Sequence, residues 1–475
     1  MPISGLVREL IGLLGERNVL WEEYDLRLYE YDGSVDKALP QAVVLPESAE
    51  QVAAVVRACV RAGVPYTARG GGTGLSGGAL PVAGGVLIAL VRMDRILEVD
   101  LANLRAVVEP GLVNLHLSQA VAAHQLYYVP DPSSQKACTI GGNVGENAGG
   151  PHTLLYGVTT NHVLGLEVVT PDGDIVTLGG KALDLPGYDL AGVFVGSEGT
   201  IGIATKVIVR LVPVPEAVKT LLGIFDSVDD AGATVSDVIA RGIVPAALEM
   251  MDRLALKAVE AAVHAGYPED AAAVLLLEVD GLKEGLDEQA AAIRDIALAH
   301  GAREVRVART AAERELLWAG RKGAFGAMGR LSPDYYVVDG VVPRSALPRV
   351  LAAVAAVGER YNLPIANVFH AGDGNLHPLI LFDGARPGEV ERVRAAGAEI
   401  MRICLAFGGA LSGEHGIGVE KRDLMPEAFA EADLEAMLRV KKALDPTGYC
   451  NPGKIFPTPG RCAEIIPHPR AGVGW

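Results

Sequence analysis

Long apolar runs are missing from this sequence. None approaches the ~18 residues that a membrane-spanning helix needs, and the longest candidate, residues 85–91, has a strand's length. Cysteine is scarce: five residues, Cys59, Cys138, Cys404, Cys450 and Cys462, stand singly. Thiols so scattered supply neither a disulfide framework nor a C-x-x-C-x-x-C cluster motif, and they fit a reducing compartment. Basic residues are also short, 42 Lys and Arg against 58 Asp and Glu, for a net charge of −16. That balance excludes a nucleic-acid partner, which demands a basic face. The opening residues carry Arg8, Glu9, Glu16 and Arg17 and do not read as a signal peptide. These absences predict a soluble, cytoplasmic chain. Its 475 residues, 50% hydrophobic and 21% charged, are those of a globular protein with two or three domains.

What the sequence has in excess is glycine, 57 residues, with three of the densest groups at 70–78, 141–150 and 196–202. Clustered glycine without a short period marks loops where backbone comes close to something. The chain has no internal repeat. Residues 1–38 read as a helical lead-in. A short strand at 41–45 stops at Pro46, and Ser48 caps a helix over 49–62 whose Val52, Val55, Val56 and Cys59 share one face. Gly63 ends that helix, and 64–68 is a second strand. Strands at 86–91, 96–100 and 106–109, a helix at 114–124, a hairpin through 164–169 and 175–178, and a strand at 203–212 complete the first half. From 216, alanine-rich helices at 228–241, 287–300, 344–361 and 388–407 alternate with strands at 273–279, 304–307, 335–338 and 376–382. That alternation predicts an α+β second domain with helices on one face. Asp445-Pro-Thr-Gly448 and Asn451-Pro-Gly453 are turns, so the tail is expected to be extended.

Gly72-Thr-Gly74-Leu-Ser-Gly77 matches G-x-G-x-x-G letter for letter. A nicotinamide-binding turn opens a helix whose N-terminal amides receive the pyrophosphate. Here the loop runs on to Gly78, Pro81 and a strand, so the match is not a dinucleotide fingerprint. Two readings remain, an anion-binding nest of unencumbered N–H groups and a plain surface loop. Pro130-Asp-Pro-Ser-Ser134, Thr139-Ile-Gly-Gly-Asn143, Asn147-Ala-Gly-Gly-Pro-His152 and Gly196-Ser-Glu-Gly-Thr-Ile-Gly202 each place small or hydroxylated residues on a loop beside an apolar strand. Together they suit a long polyanionic ligand.

Four such segments in this order resemble the FAD-binding domain of the vanillyl-alcohol-oxidase/p-cresol-methylhydroxylase (PCMH) flavoproteins. The second half resembles the C-terminal domain of the D-2-hydroxyacid dehydrogenase and glycolate oxidase group, and the two resemblances together cover roughly residues 40–455. They imply an α+β chain: a lead-in over 1–38, a PCMH-type FAD-binding domain over 39–215, and an FAD-linked oxidase C-terminal substrate domain over 216–475. They also imply a pyrophosphate loop of Arg69, Gly70, Gly71, Gly72, Thr73, Gly74, Leu75, Ser76 and Gly77. The rest of FAD falls to Pro130, Asp131, Ser133, Ser134, Thr139, Gly141, Gly142, Asn143, Ala148, Gly149, Gly150, His152, Glu198, Gly199, Ile201 and Ile203. Some members bond flavin covalently through a histidine just after the glycine pair; Thr73 stands near that place, so non-covalent FAD is expected.

Three of the ten histidines fall in Phe369-His-Ala-Gly-Asp-Gly-Asn-Leu-His-Pro378 and Ser412-Gly-Glu-His-Gly-Ile-Gly418. His370 and His377 flank a Gly-Asp-Gly turn that can fold the chain back so that both imidazoles meet, and Glu414 can add an oxygen. Two imidazoles and a carboxylate suit Zn²⁺, Mn²⁺ or Fe²⁺; the other reading is a hydrogen-bonded loop with surface histidines. Relatives with the same H-x-G-D-G-N-x-H and E-H-G patterns use the residues matching His370, His377 and Glu414 as metal ligands, and the one matching His415 as catalytic base. Arg321, in Leu317-Trp-Ala-Gly-Arg321, matches their substrate arginine, which suits a carboxylate bidentately; it also reads as a solvated helix arginine.

Two departures bear on the substrate. Relatives acting on a dicarboxylate such as 2-hydroxyglutarate carry a lysine before the aspartate corresponding to Asp339, and an asparagine two places after the second histidine. This chain has Tyr335-Tyr-Val-Val-Asp339 and Leu379. The resemblance thus implies a small monocarboxylate, as in glycolate oxidases or D-lactate dehydrogenases, with a 2-hydroxyglutarate-type dehydrogenase or an FAD-dependent alkyl-transfer enzyme as alternatives. It further implies a second flavin-type subunit and an iron–sulfur subunit as partners, and any membrane association is peripheral, through them.

Overall fold

The computed structural model describes residues 4–182 and 186–457; Cys462 and the tail beyond 457 lie outside the described residues. The described residues divide into two compact units, one drawn from 4–149, 158–213 and 414–457, the other from 150–157 and 214–413. The sequence keeps 216–475 as one stretch, whereas the structure returns residues 414–457 to the first unit. Backbone pairing explains the return: Val419 N donates to Ser76 O at 2.8 Å and Asn451 N to Tyr66 O at 2.8 Å.

Among the described residues the first unit has two main sheets and a two-stranded pair, Val212–Pro213 with Leu126–Tyr127. In the smaller main sheet, Ala42–Val44, Val86–Ala89 and Tyr66–Arg69 run parallel in that order, with Val19–Leu20 antiparallel outside. Every residue of Ala42–Val44 and Val86–Ala89 is buried, the continuous apolar run of a strand covered on both faces. Helix Ala49–Ala62 forms as expected: Ser48 Oγ accepts from Gln51 N at 3.3 Å, and Gly63 closes it in the left-handed conformation. Its Val52, Val55, Val56 and Cys59 join Val44 and Ile88 in one core. The larger sheet is antiparallel, ordered Ile96–Asp100, Arg105–Val108, Ile203–Arg210, Val163–Val169 and Ile175–Gly179. It has a separate core around Val108, Leu117, Val144, Leu166 and Val207.

The second unit is built on one antiparallel path: Ala302–Val307, Ala217–Phe225, Ala273–Gly281, Ala247–Asp252, Ile365–His370, Asn375–Leu376 and Gly340–Val341. Pro378–Phe382 branches from it, pairing with both Ile365–His370 and Asp334–Val337. The expected helices form as Val228–Ala240, Leu286–Ala299, Leu347–Tyr361 and Glu389–Ala406; Arg253–Val263 and Ala311–Ala327 add to them. The strand expected over 376–382 breaks at His377, because Pro378 brings no N–H to a ladder. No helix among the described residues is long and apolar enough to cross a membrane.

Candidate active site

Strand Tyr66–Arg69 delivers the glycine loop with no helix behind it, so the nicotinamide reading stays excluded. The loop lies against 137–142: a Cβ at Gly71 would stand 2.5 Å from the Ala137 carbonyl oxygen, and one at Gly70 2.3 Å from Thr139 Oγ1. These two glycines serve the protein's own close approach. Gly74 does not, since a Cβ there meets nothing nearer than Glu146 Oε1 at 3.9 Å. Residues 139–143, read from sequence as loop, instead open the short helix Ile140–Glu146, because Thr139 Oγ1 caps it, accepting from Gly142 N at 3.3 Å.

The remaining cofactor candidates divide by what they touch. Asn143 is turned inward, its Oδ1 accepting from Asn114 Nδ2 at 2.9 Å. Arg69 folds over Gly72 and donates to Tyr31 O at 2.7 Å. Glu198 accepts from Ile417 N and Gly418 N, both at 2.7 Å. The backbone nevertheless gathers the segments: Gly196 N donates to Val144 O at 2.9 Å, Glu198 N to Gly145 O at 2.8 Å, and Asn114 Nδ2 to Pro130 O at 2.9 Å. A cradle of small residues with an open Cβ position at Gly74 is a surface an extended ligand fits.

Gly74→Val is therefore expected to yield colourless protein that melts where flavin-free wild type does, whereas Gly71→Val is colourless and melts below it. Visible flavin absorbance and a thermal melt check this; a yellow Gly74→Val removes this stretch of loop from the cofactor site.

The E-H-G segment closes on the same loop. Gly416 has φ +85°, and a Cβ on it would fall 2.3 Å from Glu146 Oε2 and 3.0 Å from Glu198 Oε1, so only glycine lets the turn sit this deep. His415 and Glu414 are largely buried, with Nε2 and Oε1 4.0 Å apart. Burial pushes the Glu146 carboxyl well above the usual range, with Glu198 and Asp32 adding to the shift. Burial raises Glu198 too. Glu146 went unremarked in the sequence, although a carboxylate closing a glycine-rich run was a visible signal.

In the second unit, His370 ends strand Ile365–His370 and pairs with Asn375 across the predicted turn. His370 and His377 are both buried, with ring centroids 5.2 Å apart at 82°. A ring nitrogen of one lies within 4.8 Å of a ring nitrogen of the other; two nitrogens on one tetrahedral zinc stand roughly 3.4 Å apart, so this donor pair fits a metal after a small adjustment. Surface histidines they are not. His377 Nε2 faces Asp339 Oδ1 at 3.4 Å, and Asp339 also accepts from Ser412 Oγ at 2.7 Å.

Behind His370 stands Glu249, missed in the sequence although a carboxylate inside Ala246-Ala-Leu-Glu-Met-Met251 was a signal. His370 Nδ1 is 2.8 Å from its Oε1, and Arg321 Nη2 is in ion-pair contact with its Oε2. Burial pushes the Glu249 carboxyl up, but the Arg321 guanidinium and His370 more than offset it and hold it below the usual range. Arg321 is 0% exposed, which overturns the solvated-arginine reading. Helix Ala311–Ala327 carries it inward, with Gly320 opening the way beside Tyr267.

Gly150 and His152 fall in the second unit. His152 stacks on Trp318 at 5.6 Å and faces Glu278 Oε1 at 3.5 Å. Glu278 also accepts from Thr220 Oγ1, Trp318 Nε1 and Arg314 Nε at 2.6, 2.7 and 2.8 Å. Burial alone would raise this carboxyl; the His152, Arg314 and Thr220 hydrogen bonds hold it down to about 2. A carboxylate so depressed stabilises the fold above the ordinary carboxylate range, and that stability is lost as pH falls through about 2. Wild-type protein is expected to lose about 3 kcal/mol more than Glu278→Gln between pH 5 and pH 2. Urea unfolding at both pH values measures it, and equal losses would refute it.

Comparison with known proteins agrees with this architecture. Residues 40–179 match the family described as FAD binding domain, and residues 214–455 that described as FAD linked oxidases, C-terminal domain. The chain is 52% identical over 448 residues to glycolate oxidase subunit GlcD of Escherichia coli (strain K12), covering 94% of this chain and 90% of that protein. It is 34% identical over 428 residues to D-lactate dehydrogenase of Anaerostipes hadrus, covering 88% and 90%. The crystal structure of p-cresol methylhydroxylase with substrate bound shares the fold, with a TM-score of 0.81 at 20% identity, over 96% of this chain and 98% of that one. The two matched families account for both halves of the chain, and identity at this level across nearly its whole length leaves one conclusion: the chain belongs to the FAD-linked oxidases and is an FAD-dependent oxidoreductase.

Proposed function

We propose that this enzyme oxidises a small 2-hydroxy monocarboxylate, glycolate or D-lactate, to the 2-oxo acid. Arg321 is the observation that carries the reading. Its guanidinium is fully buried, Glu249 engages one amino group, and Nε and Nη1 have no hydrogen-bond partner among the described residues. Buried donors left unmet are costly, and a substrate carboxylate satisfies them in the two-pronged geometry arginine offers. The names of the GlcD and D-lactate dehydrogenase relatives support the same substrate class. One carboxylate is enough: Val338 precedes Asp339, and Leu379 pairs with Val337. A second carboxylate beside these buried apolar side chains would lose water without gaining a donor, which disfavours 2-hydroxyglutarate.

When bound, non-covalent FAD supplies the two-electron acceptor for the hydride leaving Cα, and a divalent cation (Zn, Mn or Fe) held by His370, His377 and Glu414 supplies Lewis acidity toward the α-hydroxyl. Arg321 binds and orients the carboxylate. His415 takes the hydroxyl proton, since an imidazole titrates near neutrality and needs only hydrogen-bond reach. The five scattered cysteines cannot build a cluster, so the onward electrons go to a partner iron–sulfur subunit, with a second flavin-type subunit beside it, or to another acceptor, in the cytoplasm.

Anaerobic mixing with glycolate, D-lactate and D-2-hydroxyglutarate tests the reading. Glycolate or D-lactate is expected to bleach the yellow chromophore. Bleaching by D-2-hydroxyglutarate alone would overturn the monocarboxylate claim. A flavin that none of the three reduces would favour alkyl transfer instead. Flavin remaining on an acid-precipitated pellet would refute non-covalent binding.

A further inference from the structure

Residue Glu249 lies outside every motif discussed so far, yet it touches two of the groups the proposed reaction needs. The strand pairing Ala247–Asp252 with Ile365–His370 puts Glu249 directly opposite His370 in register. Its carboxylate is 1% exposed and reaches His370 Nδ1 with both oxygens, at 2.8 and 3.0 Å. Oε2 at the same time makes the ion pair with Arg321 Nη2. Arg321 comes from a different element, helix Ala311–Ala327, so the convergence is a product of the fold and of no local sequence.

We infer that Glu249 is a shared positioning residue, which fixes His370 as the Nδ1–H tautomer with Nε2 turned toward a divalent cation and at the same time sets the guanidinium of Arg321 for the substrate carboxylate. This rests on the metal and substrate roles proposed above for His370 and Arg321. The physics is that of an acceptor-only group between two donors. A carboxylate beside a guanidinium accepts from the imidazole and never donates to it, so Nδ1 must carry the proton, and in the neutral ring Nε2 is then the lone-pair nitrogen left to ligate. Partners behind a metal-binding histidine orient the ring and raise its basicity. A bidentate arginine works only if its plane is held. One carboxylate meets both demands, so loss of Glu249 damages two functions that its neighbours affect singly.

Glutamine separates this from a merely structural role, because it keeps the shape but turns an N–H₂ group toward either His370 or Arg321. In FAD-loaded Glu249→Gln, zinc retention against a chelator is expected to weaken by about 10–100-fold, and KM for glycolate to rise by about tenfold or more. Arg321→Lys is expected to raise KM while leaving zinc retention unchanged, and His370→Gln to weaken zinc retention. A Glu249→Gln enzyme that melts earlier but keeps zinc retention and KM within about twofold of wild type would overturn the proposal. The ¹⁵N-imidazole spectrum gives a readout independent of turnover, with the His370 signal assigned by its loss in His370→Gln. Wild type is expected to show Nδ1 protonated, and an Nε2–H form would overturn the tautomer assignment. If wild type holds no metal and no 2-hydroxy acid bleaches it, the functional reading fails, while that spectrum still decides whether Glu249 sets the ring.

Discussion

His377→Ala is expected to purify yellow, to lack stoichiometric metal and to turn over roughly 10³-fold more slowly or worse. The magnitude follows from the several kcal/mol that a Lewis-acidic cation contributes to charge developing in a transition state, at 1.36 kcal/mol per tenfold in rate. Flavin should survive, because His377 belongs to the second unit and the glycine loop at 70–78 to the first. His377 is 1% exposed, so truncation also leaves a small cavity. His377→Gln, which fills it, separates the two effects: it should restore the melting temperature without restoring metal or rate. Metal analysis and steady-state kinetics on both variants check this. Active wild-type protein with no stoichiometric metal would sink the whole proposal of a metal site.

His415→Asn is expected to keep its metal and its flavin while flavin reduction slows by roughly 10²–10⁴-fold, the usual worth of a positioned acid–base group. The neighbouring residue separates base from ligand. Glu414→Gln should lose metal affinity first and rate as a consequence. Arg321→Lys should chiefly raise the substrate concentration required, since a point ammonium replaces a two-pronged clamp. The depth of the turn matters here, because Gly416 at φ +85° places the histidine's segment against Glu146 and Glu198. Stopped-flow reduction together with metal content reads all three variants. Loss of metal from His415→Asn would make His415 a ligand; an unchanged reduction rate would end its role as base.

Much of this was legible residue by residue, wherever the determinant is local. Ser48 and Gly63 bound one helix to the residue, since a cap and a left-handed stop act within a few positions. The run from Gly70 to Gly78 without a following helix excluded a nicotinamide site. The Gly-Asp-Gly turn showed that the chain can fold back so that two imidazoles meet. Thr139 shows the limit of the same approach: a cap was present, but the glycines behind it, poor helix formers, argued for loop, and the cap with its tertiary neighbours won.

By itself, the sequence determined a globular chain with glycine-rich loops suited to a long polyanionic ligand and histidines that could meet, because composition, capping and motif spacing are properties of neighbouring residues; the flavin and the metal followed from its resemblance to a known family. Only the tertiary structure decided what those residues touch. Glu249 and His370 are 121 positions apart, and they meet because two strands pair in one register out of many. Arg321 looks like any helix arginine until Gly320 brings its helix against Tyr267 and buries the guanidinium. The segment after Gly413 joins the first unit rather than the second because its backbone finds partners at Ser76 and Tyr66. Each outcome is a long-range choice of partner, made by burial and strand pairing, and no short stretch of sequence contains it.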